Sequence, residues 1–92
     1  MGEQTGQLVR SLAGRDKGQL FCVAGVEEPF LLLADGKRRR LAAPKRKKPC
    51  HVEALETSGF IHPALEALRR GEPITDRSLR RALAAFREAR RV

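Results

Sequence analysis

Apolar positions along this chain follow two different rhythms. The first half sets short apolar runs between glycine-bearing polar loops, and the last third repeats apolar residues every three or four positions. Gln7 to Leu12 has the mixed pattern of a partly exposed strand. It ends in Ala13-Gly14-Arg15-Asp16-Lys17-Gly18, where Gly14 and Gly18 can supply the positive φ a tight loop needs. Gln19 to Ala24 is apolar enough for a central strand, stopped at Gly25, and Val26-Glu27-Glu28-Pro29 reads as a turn. Phe30 to Ala34 forms a third strand, although a leucine run of this kind would also suit a buried helix. Asp35-Gly36 decides for a strand. The pair is a type I′ hairpin signal, so Lys37 to Leu41 is expected to return antiparallel. Pro44 and Pro49 exclude a regular helix or central strand between them, leaving a basic arm, and His51 to Leu55 closes the strand set.

Beyond Thr57-Ser58-Gly59 the period lengthens. Pro63 suits the first turn of a short helix to Arg70, with Gly71 as its stop. Thr75 or Asp76 caps a longer helix to about Arg90. In that helix Leu79, Ala82, Leu83, Phe86 and Ala89 form one stripe. Arg80, Arg81, Arg87, Arg90 and Arg91 fall elsewhere, the last of them favourably placed at the negative end of the helix dipole. The expected fold class is mainly β: a small five-stranded barrel over residues 1–56, with a helical C-terminal extension over residues 57–92. Closure into a barrel would hide the edges that a flat sheet exposes. The long helix is expected to pack on the barrel, or to offer its Leu79/Leu83/Phe86 stripe to a protein partner.

Charge sharpens this picture. Lys and Arg number 19 against 11 Asp and Glu, a formal net charge of +8. Lys37, Arg38, Arg39, Arg40, Lys45, Arg46, Lys47 and Lys48 stand in one twelve-residue stretch without an acid, and the other 11 cations balance the 11 acids. The whole excess therefore lies in one segment, which points to a polyanionic partner more than to a merely solvated face. A membrane surface fits less well. No apolar run nears the roughly 18–20 residues that span a bilayer. Met1 to Thr5 lacks signal-peptide order and matches a myristoylation site poorly, so a cytoplasmic location is expected.

Catalysis finds little footing. His51 and His62 neighbour no nucleophile or carboxylate pair, and the Gly14–Gly18 loop lacks the ending of a P-loop. Cys22 sits in an apolar run and Cys50 stands alone, with neither the spacing nor the ligand count of a metal site. A disulfide between them stays open at this point. We expect no enzyme, no cofactor and no metal. Among four Phe there is no Trp or Tyr, which argues against a single-strand stacking platform and for recognition of folded RNA by backbone and shape. The candidate RNA contacts are Arg10, Arg15, Lys17, Lys37 to Arg40, Lys45 to Lys48 and His51, with the loop's backbone N–H groups assisting at phosphates.

Gly6 to Gly18, followed by Gln19 to Val23, resembles a KOW motif: strand, basic glycine loop, strand. Ala34 to Leu41 and Pro44 to His51 are similar to small bacterial KOW-domain proteins. Those proteins in turn resemble the large-subunit ribosomal protein fourteen family of archaea and eukaryotes. The resemblance spans about residues 6 to 55. It implies an SH3-like barrel, structured RNA such as ribosomal RNA as partner, and neither catalysis nor metal. By position, Gly18 would be the structural glycine, with Arg15 and Lys17 on the RNA-facing loop. Cys50, before His51, departs from the polar or basic residue usual there. The expected protein is a monomer when free, bound to RNA in a ribosomal or ribosome-associated role. The alternative is an adapter that contacts proteins of the translation or transcription machinery.

Overall fold

The computed structural model describes residues 4–90; Met1 to Glu3, Arg91 and Val92 lie outside the described residues. Five antiparallel strands form one sheet: β1 (Leu8–Ser11), β2 (Leu20–Glu27), β3 (Phe30–Ala34), β4 (Lys45–Lys47) and β5 (Val52–Ala54), in the order β4-β3-β2-β1-β5. A 3₁₀ turn, Pro49–His51, precedes β5. Two helices follow, α1 (Pro63–Arg69) and α2 (Asp76–Ala89).

Side chains alternate across a strand, so a strand that is apolar throughout must be covered on both faces. Such cover exists for β2 and β3. Leu8, Cys22 and Ala34 join Leu65, Leu79, Leu83 and Phe86 in one cluster beneath the helices. Val9, Phe21, Val23, Leu31 and Leu33 form a second cluster, against which Val52 of β5 packs. Residues from both sides of position 56 therefore share one core. The stripe Leu79, Ala82, Leu83 and Phe86 is buried within it, whereas Ala89 is exposed. Burying a Leu or Phe side chain is worth about 1.5–3 kcal/mol, which explains why this face packs inward and is not offered to a protein partner.

The helix starts follow the sequence closely. His62 Nδ1 accepts from the Ala64 N–H ahead of Pro63, and Thr75 and Ser78 close a reciprocal capping box on α2.

Three sequence expectations are corrected. The sheet is open: the short strands β4 and β5 are its two edges, and no backbone ladder joins them. Lys37 to Leu41 makes no strand. A type I′ turn needs positive φ at both central residues, and only Gly36 has it (φ 79°). Instead Asp35 Oδ1 accepts from the Lys37 and Arg39 N–H groups, while the Asp35 and Gly36 N–H groups donate to the Arg39 carbonyl. The chain thus folds into a tight loop, and the strand that returns along β3 is β4, the segment expected to be a loose arm. β4 lies at the sheet edge, where the flanking prolines are tolerated. Finally, β2 does not stop at Gly25. A register shift between Val23 and Gly25 leaves Ala24 as the extra residue, while Gly25 pairs with Leu32 and pairing continues to Glu27.

Candidate nucleic-acid interface

The predicted cations fall into three groups. At one end of the sheet, a cleft of about 640 Å³ opens between β1–β2, the 35–41 loop and the last turn of α2. Arg10, Lys37, Arg38, Arg87 and Arg90 surround it, all exposed, above a base of Leu20, Leu55 and the buried Phe86. A shallower hollow adjoins it, sharing Gln19 and Arg38 and adding Arg15 and Arg39. Lys45 also lines this second hollow but is ion-paired there with Asp16. Setting it aside, seven cations lie along one continuous concave surface. Of these only Arg10 makes an ion pair among the described residues, with Glu53 directly opposite it on β5. Both partners of that pair are about half exposed, so its strength in water is small.

The second group is internal. Asp16 is buried, and its Oδ1 accepts from Ser11 Oγ at 2.7 Å and from Lys47 Nζ at 2.8 Å. Its Oδ2 accepts from Lys45 Nζ at 2.6 Å. Burial pushes the Asp16 carboxyl upward, but the hydrogen bonds from Lys45, Lys47 and Ser11, with the charge of Lys47, outweigh it and hold the group well below the usual carboxylate range. Lys47 is 7% exposed and also donates to the Ala13 carbonyl at 2.7 Å. Edge strand β4 is thereby tied to the β1–β2 loop where no ladder closes the sheet. The same loop was expected to offer N–H groups to phosphate. Those of Lys17, Gly18 and Gln19 are turned inward, to the carbonyls of Gly14, Ser11 and Asp16 respectively.

The third group lies elsewhere. Arg46 pairs with Glu27. With Lys48 and His51 it lines a separate hollow beside Ala13 and Phe30. Lys17 and Arg40 are exposed and belong to neither basic hollow. Gly14 and Gly18 hold positive φ (85° and 88°), and a Cβ at Gly18 would meet nothing, so its role is conformational.

Helix α2 also fixes the basic loop. Asp76 Oδ1 accepts from the Leu41 N–H at 2.8 Å, and Arg80 Nη1 donates to the Gly36 carbonyl at 2.7 Å. A Cβ on Gly36 would strike the Asp76 carbonyl oxygen. Four cations are therefore presented on a loop whose backbone is held from both ends.

Sequence reasoning missed Arg87 and Arg90 as members of this surface, and Asp16, Asp76 and Arg80 as the residues that organise it. A signal existed for Arg90. It lies four positions after Phe86, hence on the same helix side, and its guanidinium carbon sits 5.4 Å from that ring's centroid. Asp16 was an acid isolated among cations, which is a reason to look for an internal pair.

Both cysteines are free. Burial pushes the Cys22 thiol up to about 12, leaving it unreactive, and Cys50 is exposed. Among the described residues no three His, Cys, Asp or Glu side chains gather as metal ligands, and no helix is long and apolar enough to cross a membrane. No family model matches the chain, and no curated protein matches it.

Proposed function

We propose that this protein is an RNA-binding module of the SH3-like KOW type that grips structured RNA, ribosomal RNA being the foremost candidate. The observation that carries the reading is the concentration of seven cations on one concave surface, six of them without a carboxylate partner among the described residues. A surface of that kind suits the sugar-phosphate chain, and arginine's planar fork suits phosphate oxygens in pairs. The strand order, the 3₁₀ turn before β5 and the positive-φ glycines of the β1–β2 loop support the KOW-type reading. The adapter reading loses its docking face, because the Leu79/Leu83/Phe86 stripe is covered by the protein's own core.

The test is a salt titration of binding to a labelled RNA stem-loop. Neutralising seven phosphates gives a log–log slope of roughly −5 to −6. The double reversal Arg38→Glu/Arg39→Glu should weaken binding at least about tenfold at moderate salt, with an unchanged circular dichroism spectrum. Affinity indifferent to salt, or to that double reversal, would remove the reading. Retention in cellular complexes after nuclease treatment would point to a protein partner instead.

A further inference from the structure

A surface that touches only phosphates needs no depth, yet the cleft beside α2 has it. Its mouth is cationic, its base is apolar, and its volume of about 640 Å³ lies within the range of small-molecule sites, roughly 300–1,000 Å³. Two uncharged or anionic polar groups also line it, Gln19 and Asp35. Asp35 Oδ1 is occupied by the Lys37 and Arg39 N–H groups, whereas no donor among the described residues reaches its Oδ2. A cation-lined site thus holds one unengaged carboxylate oxygen beside an apolar surface.

Few ligands match all three features. A nucleotide does: it has an anionic phosphate, a planar face of low polarity and, on adenine, cytosine or guanine, an exocyclic N–H donor. The geometry points to this cleft as the seat of a single unpaired nucleotide, extruded from the stem of the bound RNA. This inference rests on the RNA-binding reading above. The phosphates flanking the nucleotide sit against Arg38, Lys37 and Arg87 at the mouth. The base lies along Leu20 and Leu55 above the buried Phe86, and the Arg90 guanidinium, set over the Phe86 ring and anchored to the Glu56 carbonyl, borders the slot. Asp35 Oδ2 accepts from the exocyclic amine, and Gln19 supplies an amide able both to donate and to accept. The scarcity of aromatic residues is no obstacle, because one base needs one slot and not a stacking platform.

The experiment compares two labelled RNA hairpins, one fully paired and one with a single bulged adenosine in the same stem. The expected result is a preference of about tenfold for the bulged hairpin, the scale of one well-seated base. With 2-aminopurine in the bulge, its emission should change on binding. In Asp35→Asn the Oδ1 contacts of the loop are retained while the free acceptor becomes a donor, and the ratio of the two affinities should fall towards one. Leu55→Trp, which fills the base of the cleft, should do the same, so the test does not depend on one variant folding. Equal affinity of the unmodified protein for both hairpins, with strong salt dependence, overturns the cleft inference and leaves RNA binding intact. Failure to bind either hairpin overturns both.

Discussion

Two basic runs of four cations each, Lys37 to Arg40 and Lys45 to Lys48, look interchangeable in the sequence and behave differently in the fold. The first lies on a loop whose backbone polar groups are bonded inward, to Asp35, to the Arg39 carbonyl and to Asp76, so its four side chains are left exposed and unpaired among the described residues. The second is mostly strand. Alternation sends Lys45 and Lys47 together towards Asp16, and sends Arg46 the other way, to Glu27. Of those four cations only Lys48 keeps no ion pair among the described residues. The difference teaches that formal charge is a property of the sequence, whereas charge available to a partner is set by secondary structure. A loop can direct every head outward; a strand with one buried acid beside it cannot.

The sharpest way to break this comparison is Asp16→Asn. Lys47 would remain 7% exposed with its carboxylate removed. Breaking a buried pair by deleting one partner costs about 3–5 kcal/mol, which for a chain of this size lowers Tm by more than roughly 10 °C. Thermal unfolding followed by circular dichroism measures this, and an unchanged Tm would show that the internal pairing is incidental. The same residue sets an acid limit. Its folded pKa is depressed, so the stability it contributes is fully present above its unfolded value near about 4 and fades as pH falls below that. Hydrogen bonds from Ser58 and Arg70 also lower Glu56 and Glu72, so the diagnostic is the difference between native protein and Asp16→Asn. That difference should shrink as pH drops from 5 towards 2.

The second largest effect belongs to the other run. Gly36→Ala places a side chain at φ 79° and drives its Cβ into the Asp76 carbonyl. The left-handed conformation alone costs roughly 1–2 kcal/mol, and the clash adds to it. Urea unfolding should register a loss of about 2 kcal/mol or more, together with weaker RNA binding, because the loop must move. Stability equal to the native protein would mean that the loop is not held as described.

Much of the fold was legible because local chemistry and tertiary context agree. Phe30–Ala34, the Pro63 helix start and the Thr75 cap are each specified by a few neighbouring residues, and each appears as read. The readings that failed depend on partners distant in sequence. Asp35-Gly36 carries a hairpin signature, yet Asp76 and Arg80, some forty residues on, hold a loop there. Lys45 and Lys47 look like phosphate ligands until Asp16, about thirty residues earlier, is brought beside them. Barrel closure failed for a related reason: β4 and β5 span three residues each, and the open side is bridged by those same ion pairs instead of a ladder. The site itself was half visible. Arg10, Arg15, Lys37, Arg38 and Arg39 were named, while Arg87 and Arg90 join them only because α2 buries Phe86 in the same core cluster as Leu8 and Cys22 of the sheet.

A smaller effect tests whether the helical segment serves the loop or only covers the sheet. Asp76 is a first-turn residue of α2 and the acceptor for the Leu41 N–H, so Asp76→Ala removes a favourable charge at the helix start and one tertiary hydrogen bond. Each is worth about 0.5–1 kcal/mol, too little to unfold the protein but enough to loosen one end of the loop. Amide exchange separates the two roles. If α2 anchors the loop, the Leu41 amide should exchange about five- to tenfold faster in the variant, as the loss of about 1 kcal/mol of local protection requires. The Lys37 and Arg39 amides, held by Asp35 within the loop, should be less affected. If α2 only covers the sheet, all three amides should slow or quicken together with global stability. RNA affinity should then fall by a few-fold in the first case alone, because only there does the variant change how Lys37 to Arg40 are presented while the cations themselves are untouched.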